Sequence, residues 1–482
     1  MAEYLSPGVY AESVNNATAP IQSVSASTGG FVGVSVRGVL KKPTLVTSWQ
    51  NFLDTFAYGM ETPFLANSDL AYAVYGFFQN GGTRCYITRV ASSSAKKATD
   101  GEETPVFYAK DEGTWGNKIK VVITENEDNT GNFDLVVKYN DEAVEQFKNV
   151  TNDATKENYF VDVLGKSQFI TCITGTLSVT QKEGKPVATE ISLSGGEDGI
   201  TNLTDDDYTK ALALFDSVDD VNLICMPGQV SATMTNAILS YAEKRGNVFA
   251  IIDGPKSATI ADIKTFRKGL SCKNGALYYP WIKVSDPLSK TGRLRECPTC
   301  GHVMGVYART IQERGVWKAP AGVEANIRGA IEVVTPLVKG DCDVLNPLNI
   351  NVIMPRANYG IVIWGARGLS PDASMRYVSD ILLEINVKES VKQGTQWAVF
   401  EPNNHILWTR MTATIEAYLD SVWRDGGFFG ETPEQAYFVK CDEELNPENV
   451  RNEGKLICEL GYAQNKPAEF VIIRIAHSIS ND

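Results

Sequence analysis

Histidine is nearly absent: His302, His405 and His477 are the only three in 482 residues. That leaves little room for imidazole-based catalysis or metal binding. Also missing are a Gly-x-Ser-x-Gly nucleophile turn, a phosphate-binding loop and a His-Glu-x-x-His zinc motif. The pair Gly195-Gly196 runs into Glu197-Asp198, an acidic turn that repels a phosphate. No stretch approaches the ~20 apolar residues of a membrane-spanning helix. The opening Met1-Ala-Glu-Tyr-Leu-Ser-Pro-Gly lacks the basic region and apolar run of a secretory signal, so a cytosolic site of synthesis and no membrane insertion are expected. Positive charge is also short. With 45 Lys and Arg against 58 Asp and Glu the net charge is -13, which argues against nucleic acid or an anionic membrane as the main partner. The nine cysteines are odd in number and scattered, so buried thiols rather than a disulfide framework are expected.

A chain this long exceeds a single hydrophobic core, and two to four domains are expected. Val9-Tyr10-Ala11-Glu12-Ser13-Val14 has strand composition but no sequence-local partner. It is either a frayed terminus or an arm that adds a strand to another subunit's sheet. From Gly30 the pattern is strand (30–36), helix (68–82, with Ser68 as N-cap), strand (85–90), the signature of an α/β unit. Between 91 and 200 it changes to period-2 runs such as Lys118-Ile-Lys-Val-Val-Ile-Thr and Phe133-Asp-Leu-Val-Val-Lys-Tyr, separated by turn residues, which predicts a mostly β insertion. The α/β pattern resumes at 205, with strands expected at Val221–Pro227, Val248–Asp253, Ala276–Val284, Val352–Met354 and Gly360–Trp364. Helices are expected at Thr233–Arg245 and over Pro320–Ile331. Beyond 370, helices are expected at Met375–Ser390 and Ile406–Trp423, then strands at Gln435–Cys441, Lys455–Tyr462 and Ala468–His477. The fold class is therefore multidomain, α/β and α+β. Its divisions are a terminal arm (1–20), an α/β core in two parts (21–92 and 201–370), an inserted mostly-β domain (93–200) and a C-terminal α+β domain (371–482).

Two local features invite a chemical reading. Cys297-Pro298-Thr299-Cys300-Gly301-His302 looks like half of a zinc site, with Cys297, Cys300 and His302 as ligands. Structural zinc needs four ligands, and no second Cys-x-x-Cys exists, so a surface turn made by Pro298 and Gly301 is the preferred reading. Asp253 ends a predicted strand, where many α/β enzymes place chemistry, but Gly254-Pro255 beside it also suits a turn. With no nucleophile–base pair or cofactor motif, an α/β enzyme with a β accessory domain and a zinc-stabilised binding module remain the alternatives.

Segments spread along nearly the whole chain resemble the contractile tail sheath proteins of phages and related injection machines. They are Tyr4-Leu-Ser-Pro-Gly-Val-Tyr10, Asn80-Gly-Gly-Thr-Arg-Cys85, Gly113-Thr-Trp-Gly-Asn117, Gly301-His-Val-Met-Gly-Val-Tyr-Ala-Arg-Thr310 and Trp317-Lys-Ala-Pro-Ala-Gly322. Asn346-Pro-Leu-Asn-Ile-Asn351, Trp364-Gly-Ala-Arg367, Arg376-Tyr-Val378, Phe400-Glu-Pro-Asn403 and Leu407-Trp408 follow in the same order. The resemblance implies a non-enzymatic subunit without cofactors that forms homohexameric rings, stacked helically around a tail tube protein and bounded by baseplate and tail terminator proteins. It implies no direct contact with nucleic acid. Contraction would drive the tube through a target envelope, and the particle would be a virion tail or tail-like device assembled in the host cytoplasm. The terminal segments would be exchanged between subunits: Val9, Tyr10, Ala11, Glu12, Ser13 and Val14 at one end, Phe470, Val471, Ile472, Ile473, Arg474 and Ile475 at the other. With the C-terminal domain facing the tube, Lys388 and Lys392 are candidate tube contacts, although a merely solvated face fits them as well.

Overall fold

The computed structural model describes residues 20–57, 68–102, 106–126, 131–182, 185–286, 292–470 and 472. Its centre is an eight-stranded sheet. The strands are β1 (Gly29–Gly33), β2 (Thr44–Val46), β3 (Cys85–Arg89), β4 (Leu223–Cys225), β5 (Phe249–Asp253), β6 (Gly275–Tyr279), β7 (Ile350–Arg356) and β8 (Gly360–Ile363). Their order is β8-β7-β6-β5-β4-β1-β3-β2. All neighbours are parallel except the two edge pairs, β7–β8 and β2–β3, which are antiparallel.

Strands in such a sheet are covered on both faces and read as continuous apolar runs. Alternation sorts their side chains between two cores. Phe31, Cys225, Phe249, Ile251 and Tyr278 enter one core; Val32, Ile224, Ala250, Ile252 and Tyr279 enter the other. Helices α1 (Trp49–Phe56), α2 (Leu70–Gln79) and α6 (Cys300–Arg314) supply the first core. Helices α3 (Asp205–Ala213), α4 (Ala232–Arg245) and α5 (Ile260–Lys268) supply the second. Local signals set their ends: Ser231 caps α4 through the Met234 amide, Gly246 stops it in the left-handed region at φ 71°, and Thr259 with Asp262 forms a capping box on α5.

The insertion has a separate core, in which Trp115, Val121, Leu135, Val137 and Phe169 are buried. Its main sheet is antiparallel, in the order Thr189–Ser192, Ile119–Glu125, Asn132–Tyr139, Glu142–Thr151. The Trp115 of the Gly113-Thr-Trp motif also joins insertion to core. The buried Arg37, just beyond β1, lies over the Trp115 ring at 4.4 Å and donates to the Gln168 carbonyl. Arg89, at the end of β3, donates to the Gly38 and Glu112 carbonyls, and Asp111 accepts from the Gly38 amide.

The chain divides into two compact units. Residues from Ser25 to Ile385, joined by the segment from Glu469, form the larger. Asn386–Ala468, with residues 20–24, form the smaller. The division falls inside α7 (Val378–Gly394). The smaller unit contains α8 (His405–Arg424) and a two-stranded antiparallel sheet of Tyr437–Lys440 with Glu459–Tyr462.

Several sequence expectations differ from what is found. Ala276–Val284 is two strands, β6 and Ile282–Ser285, separated at Pro280 and lying in different sheets. The stretch from Pro320 to Gly329 is irregular and ends in the strand Ala330–Val333. Ser68 lies one residue before the cap position of α2, which Asp69 occupies without a side-chain bond; Ser68 Oγ accepts from the Leu70 amide at 3.4 Å and donates to the Val34 carbonyl.

Candidate assembly site

The suspected zinc half-site is not a surface turn. Cys297 and Cys300 are fully buried, and the two residues after Pro298 lead into and begin α6. What starts the helix is Asp253 at the end of β5. Its Oδ1 accepts from the Thr299 amide (2.8 Å), the Thr299 hydroxyl (2.9 Å) and the Cys300 amide (2.8 Å). A carboxylate at a helix N-terminus meets unpaired N–H groups and the positive end of the helix dipole. Burial pushes the Asp253 carboxyl up to about 6, against these bonds. Burial also lifts both thiols well above their usual value, which makes them inert. His302 does not join the cysteines. Its ring lies against α2, where a Cβ on Gly76 would sit 2.3 Å from it, and burial lowers its pKa to about 4. Among the described residues no group of three His, Cys, Asp or Glu side chains could hold a metal ion. Asp253 is a helix cap, and the motif's cysteines pack the core.

The rest of that motif brings two helices together. On α6, a Cβ at Gly301 would meet the Ala73 carbonyl oxygen at 2.3 Å, and one at Gly305 would meet the Phe77 carbonyl oxygen at 2.5 Å. The spacing i, i+4 puts both glycines on one face of α6, pressed on α2. Arg309, one turn further, closes the contact. It donates to the Asn80 carbonyl at 3.2 Å and to the Asn326 carbonyl at 2.7 Å. Asn80, fully buried at the end of α2, exchanges bonds with Arg328: its amide donates to the Arg328 carbonyl, and its Oδ1 accepts from the Arg328 amide. The segment after Trp317 is therefore held by side chains that accept or satisfy its backbone groups, which is why it does not need to be helical.

A second convergence lies where the chain leaves towards its C-terminus. Glu469 is clamped by Arg367, whose Nε reaches Oε1 at 3.0 Å and whose Nη2 reaches Oε2 at 2.7 Å. Asn346 donates to Oε1 at 2.6 Å, and the Tyr377 hydroxyl donates to Oε2 at 3.0 Å. Arg367 is itself fixed: its Nη1 donates to the Asn346 carbonyl, and its amide donates to Asn351. Burial raises the Glu469 pKa, but the bonds from Arg367, Asn346 and Tyr377 outweigh it and leave the carboxyl below its ordinary value. A bidentate pair with this much support is strong and directional. Asn346, Arg367 and Tyr377 come from three separate sequence motifs, and their convergence on the Glu469 carboxylate is not legible from any of them.

Immediately beyond the clamp, Phe470 and Ile472 are 73% and 79% exposed and belong to no strand. Val471, Ile473, Arg474 and Ile475, and the N-terminal Val9, Tyr10, Ala11, Glu12, Ser13 and Val14, lie outside the described residues. In the smaller unit, Tyr437–Lys440 and Glu459–Tyr462 pair only with each other among the described residues, leaving an outer edge on each strand. Asn404 caps α8 by accepting from the Ile406 and Leu407 amides, and Asn403 accepts from the Trp408 indole at 2.7 Å, so the Phe400-Glu-Pro-Asn and Leu-Trp motifs form one corner. Lys388 and Lys392 are both exposed on α7, and Lys392 is 3.3 Å from Glu389.

Residues 201–369 match the family model described as the phage tail sheath protein central domain, and 370–477 the phage tail sheath C-terminal domain, together more than half of the chain. The chain belongs to the phage tail sheath family. Its β insertion lies before the matched region. A tail sheath protein of Vibrio phage KVP40 is 24% identical to this sheath-family chain over 408 residues, covering 77% of the chain and 58% of that relative. One of Salmonella phage ViI is 23% identical over 204 residues, covering 41% and 31%. The chain thus spans under two thirds of the length of these curated relatives. Among solved structures, the PVC sheath complex of an extracellular contractile injection system, in its contracted state, superposes with a TM-score of 0.62 at 22% identity over 99% of both chains. A sheath tail protein from Listeria innocua gives 0.64 at 13% identity over 88% of this chain and 90% of that one. These likenesses establish that the sheath fold extends over nearly the whole chain, the insertion included.

Proposed function

We propose that this chain is the structural subunit of a contractile sheath. It polymerises as stacked hexameric rings around a tail tube and shortens to drive the tube through a target envelope. The observation that carries the reading is the Glu469 clamp. It fixes the chain to the larger unit directly before Phe470 and Ile472, both exposed, which open a segment of strand composition. A link that must bear load during contraction needs such an anchor, with the pairing partner on another subunit. Main-chain pairing suits that link, because a strand added to a sheet edge can swing on its connection without losing its bonds. The two open edges of the Tyr437–Lys440 and Glu459–Tyr462 pair are the acceptor positions for residues 470–475 and 9–14 of neighbouring subunits. A two-stranded sheet is marginal alone and gains stability from added strands.

The role is mechanical. Asp253, the one strand-end carboxylate that suggested catalysis, is committed to capping α6. Tube, baseplate and terminator proteins are the expected partners, with assembly in the host cytoplasm into a virion tail or tail-like particle. The α7 face bearing Lys388 and Lys392 is assigned to the tube. Replacing both lysines with glutamate is expected to block co-assembly with the tube protein while leaving sheath-only polymers intact. Normal co-assembly would remove that assignment. The larger claim is tested by deleting residues 1–18: the truncated chain is expected to remain folded and to form no ordered polymer, whereas unchanged polymerisation would rule out the arm.

A further inference from the structure

The open sheet of the smaller unit carries a pair of cysteines to which neither its family nor the mechanical role assigns a purpose. In the ladder Tyr437 faces Tyr462, Phe438 faces Gly461, Val439 faces Leu460 and Lys440 faces Glu459. Extended by one step, this antiparallel register sets Cys441 directly opposite Cys458. Just beyond them Asn446, fully buried, closes the intervening excursion. Its side-chain amide donates to the Ile457 carbonyl at 2.8 Å, and its Oδ1 accepts from the Ile457 amide at 2.7 Å. The cysteines are thus pinned between a hydrogen-bonded ladder on one side and a side-chain clasp on the other. Directly opposed residues of an antiparallel pair have Cα atoms about 4.5–5.5 Å apart, inside the ~4.4–6.8 Å range a disulfide spans. Both are free thiols and only partly buried. Burial raises the pKa of both, that of Cys458 to about 12.

We propose that Cys441 and Cys458 form a reversible oxidation site, a cross-strand disulfide made by exchange with a small-molecule disulfide. The Cys441 thiolate attacks one sulfur of the oxidant and releases the first thiolate, leaving a mixed disulfide. Cys458 then gives up its proton and attacks the Cys441 sulfur, expelling the second. One protein S–S bond replaces that of the oxidant, and the two protons lost by the protein are carried by two released thiols. Cys85, Cys225, Cys297 and Cys300, by contrast, are fully buried and out of an oxidant's reach. The bond would close the excursion 442–457 and stiffen the sheet. On the reading above, it would do so in a particle released from a reducing cytosol into an oxidising medium.

The full-length protein, reduced and then equilibrated with oxidised glutathione, is alkylated and analysed by peptide mass spectrometry. The expected result is a linked peptide pair joining residues 441 and 458, two hydrogens lighter than the reduced pair, with Cys225 and Cys300 still alkylated after unfolding. The melting temperature is expected to rise by several degrees on oxidation and to be unmoved in Cys441→Ser. Alkylation of both residues, or persistent glutathione adducts without the link, overturns the proposal. Since the readout needs no polymer, failure of assembly and failure of the disulfide are separate outcomes.

Discussion

At the scale of single residues, buried titratable groups are the most legible in solution. His302 is held neutral, its pKa lowered from about 6.5 to about 4. A base whose folded pKa lies below its unfolded one binds protons preferentially in the unfolded chain, so stability falls as pH drops from about 6.5 towards 4. Asp253 has the opposite sign: its carboxyl, raised to about 6, favours the folded state as pH drops through that value. The two oppose each other between pH 4 and 6. His302→Gln is therefore expected to lose less stability than the parent on going from pH 7 to 5, as measured by denaturant unfolding at each pH. Equal losses would show that His302 protonates freely in the folded chain. Glu469 behaves as a depressed carboxylate. Its contribution is present above the ordinary carboxylate pKa and disappears as pH falls through its lowered value. Arg367→Ala removes the bidentate partner of Glu469 and the donor to the Asn346 carbonyl, and is expected to cost about 1–3 kcal/mol. Amide exchange should accelerate around Glu469 and leave that of β5 unchanged; uniform protection would mean that the clamp anchors nothing. None of these roles was visible in sequence. Asp253 and Thr299 are 46 positions apart, and the sequence around Asp253 reads equally well as a turn.

At the scale of elements, α2 and α6 show why the stretch from Cys297 to His302 has the composition of a surface turn and yet begins a buried helix. Pro298 and Gly301 are turn formers in isolation, and Gly301 and Gly305 lower helix propensity. The helix exists because tertiary contact with Ala73 and Phe77 rewards the absence of side chains. Propensity therefore gives the sign of a test. Gly305→Ala, which would stabilise an exposed helix, is expected to destabilise this one by about 1–3 kcal/mol through overpacking. Gly340→Ala, in the helix Lys339–Leu345 with nothing within 4 Å of a Cβ, is the control and is expected to be neutral or stabilising. Thermal unfolding distinguishes them, and a stabilising Gly305→Ala would contradict the close packing. Strands β1, β3, β5 and β8, by contrast, were readable from their apolar runs, and α4, α7 and α8 from their periodicity and length. A helix expected over Pro320–Ile331 is absent, and the Arg309 and Asn80 bonds that hold this segment instead come from elsewhere in the chain.

At the scale of the whole molecule, the mixed α/β and α+β fold class follows the pattern changes in the sequence, and the resemblance implies the family to which the chain belongs. What the sequence could not supply was the reason its scattered motifs belong together. Asn80 and Arg309 build one buried junction, and Asn346, Arg367 and Tyr377 build another around Glu469. The second stands at the root of the segment proposed to link subunits. The measurement that tests this account most directly is electron cryomicroscopy of the purified full-length chain at high concentration. The account predicts hollow tubes of stacked six-membered rings, with residues 470–475 of one subunit paired to the edge of Tyr437–Lys440 or Glu459–Tyr462 in a neighbour. A persistent monomer, or tubes in which that segment folds back on its own subunit, would contradict it.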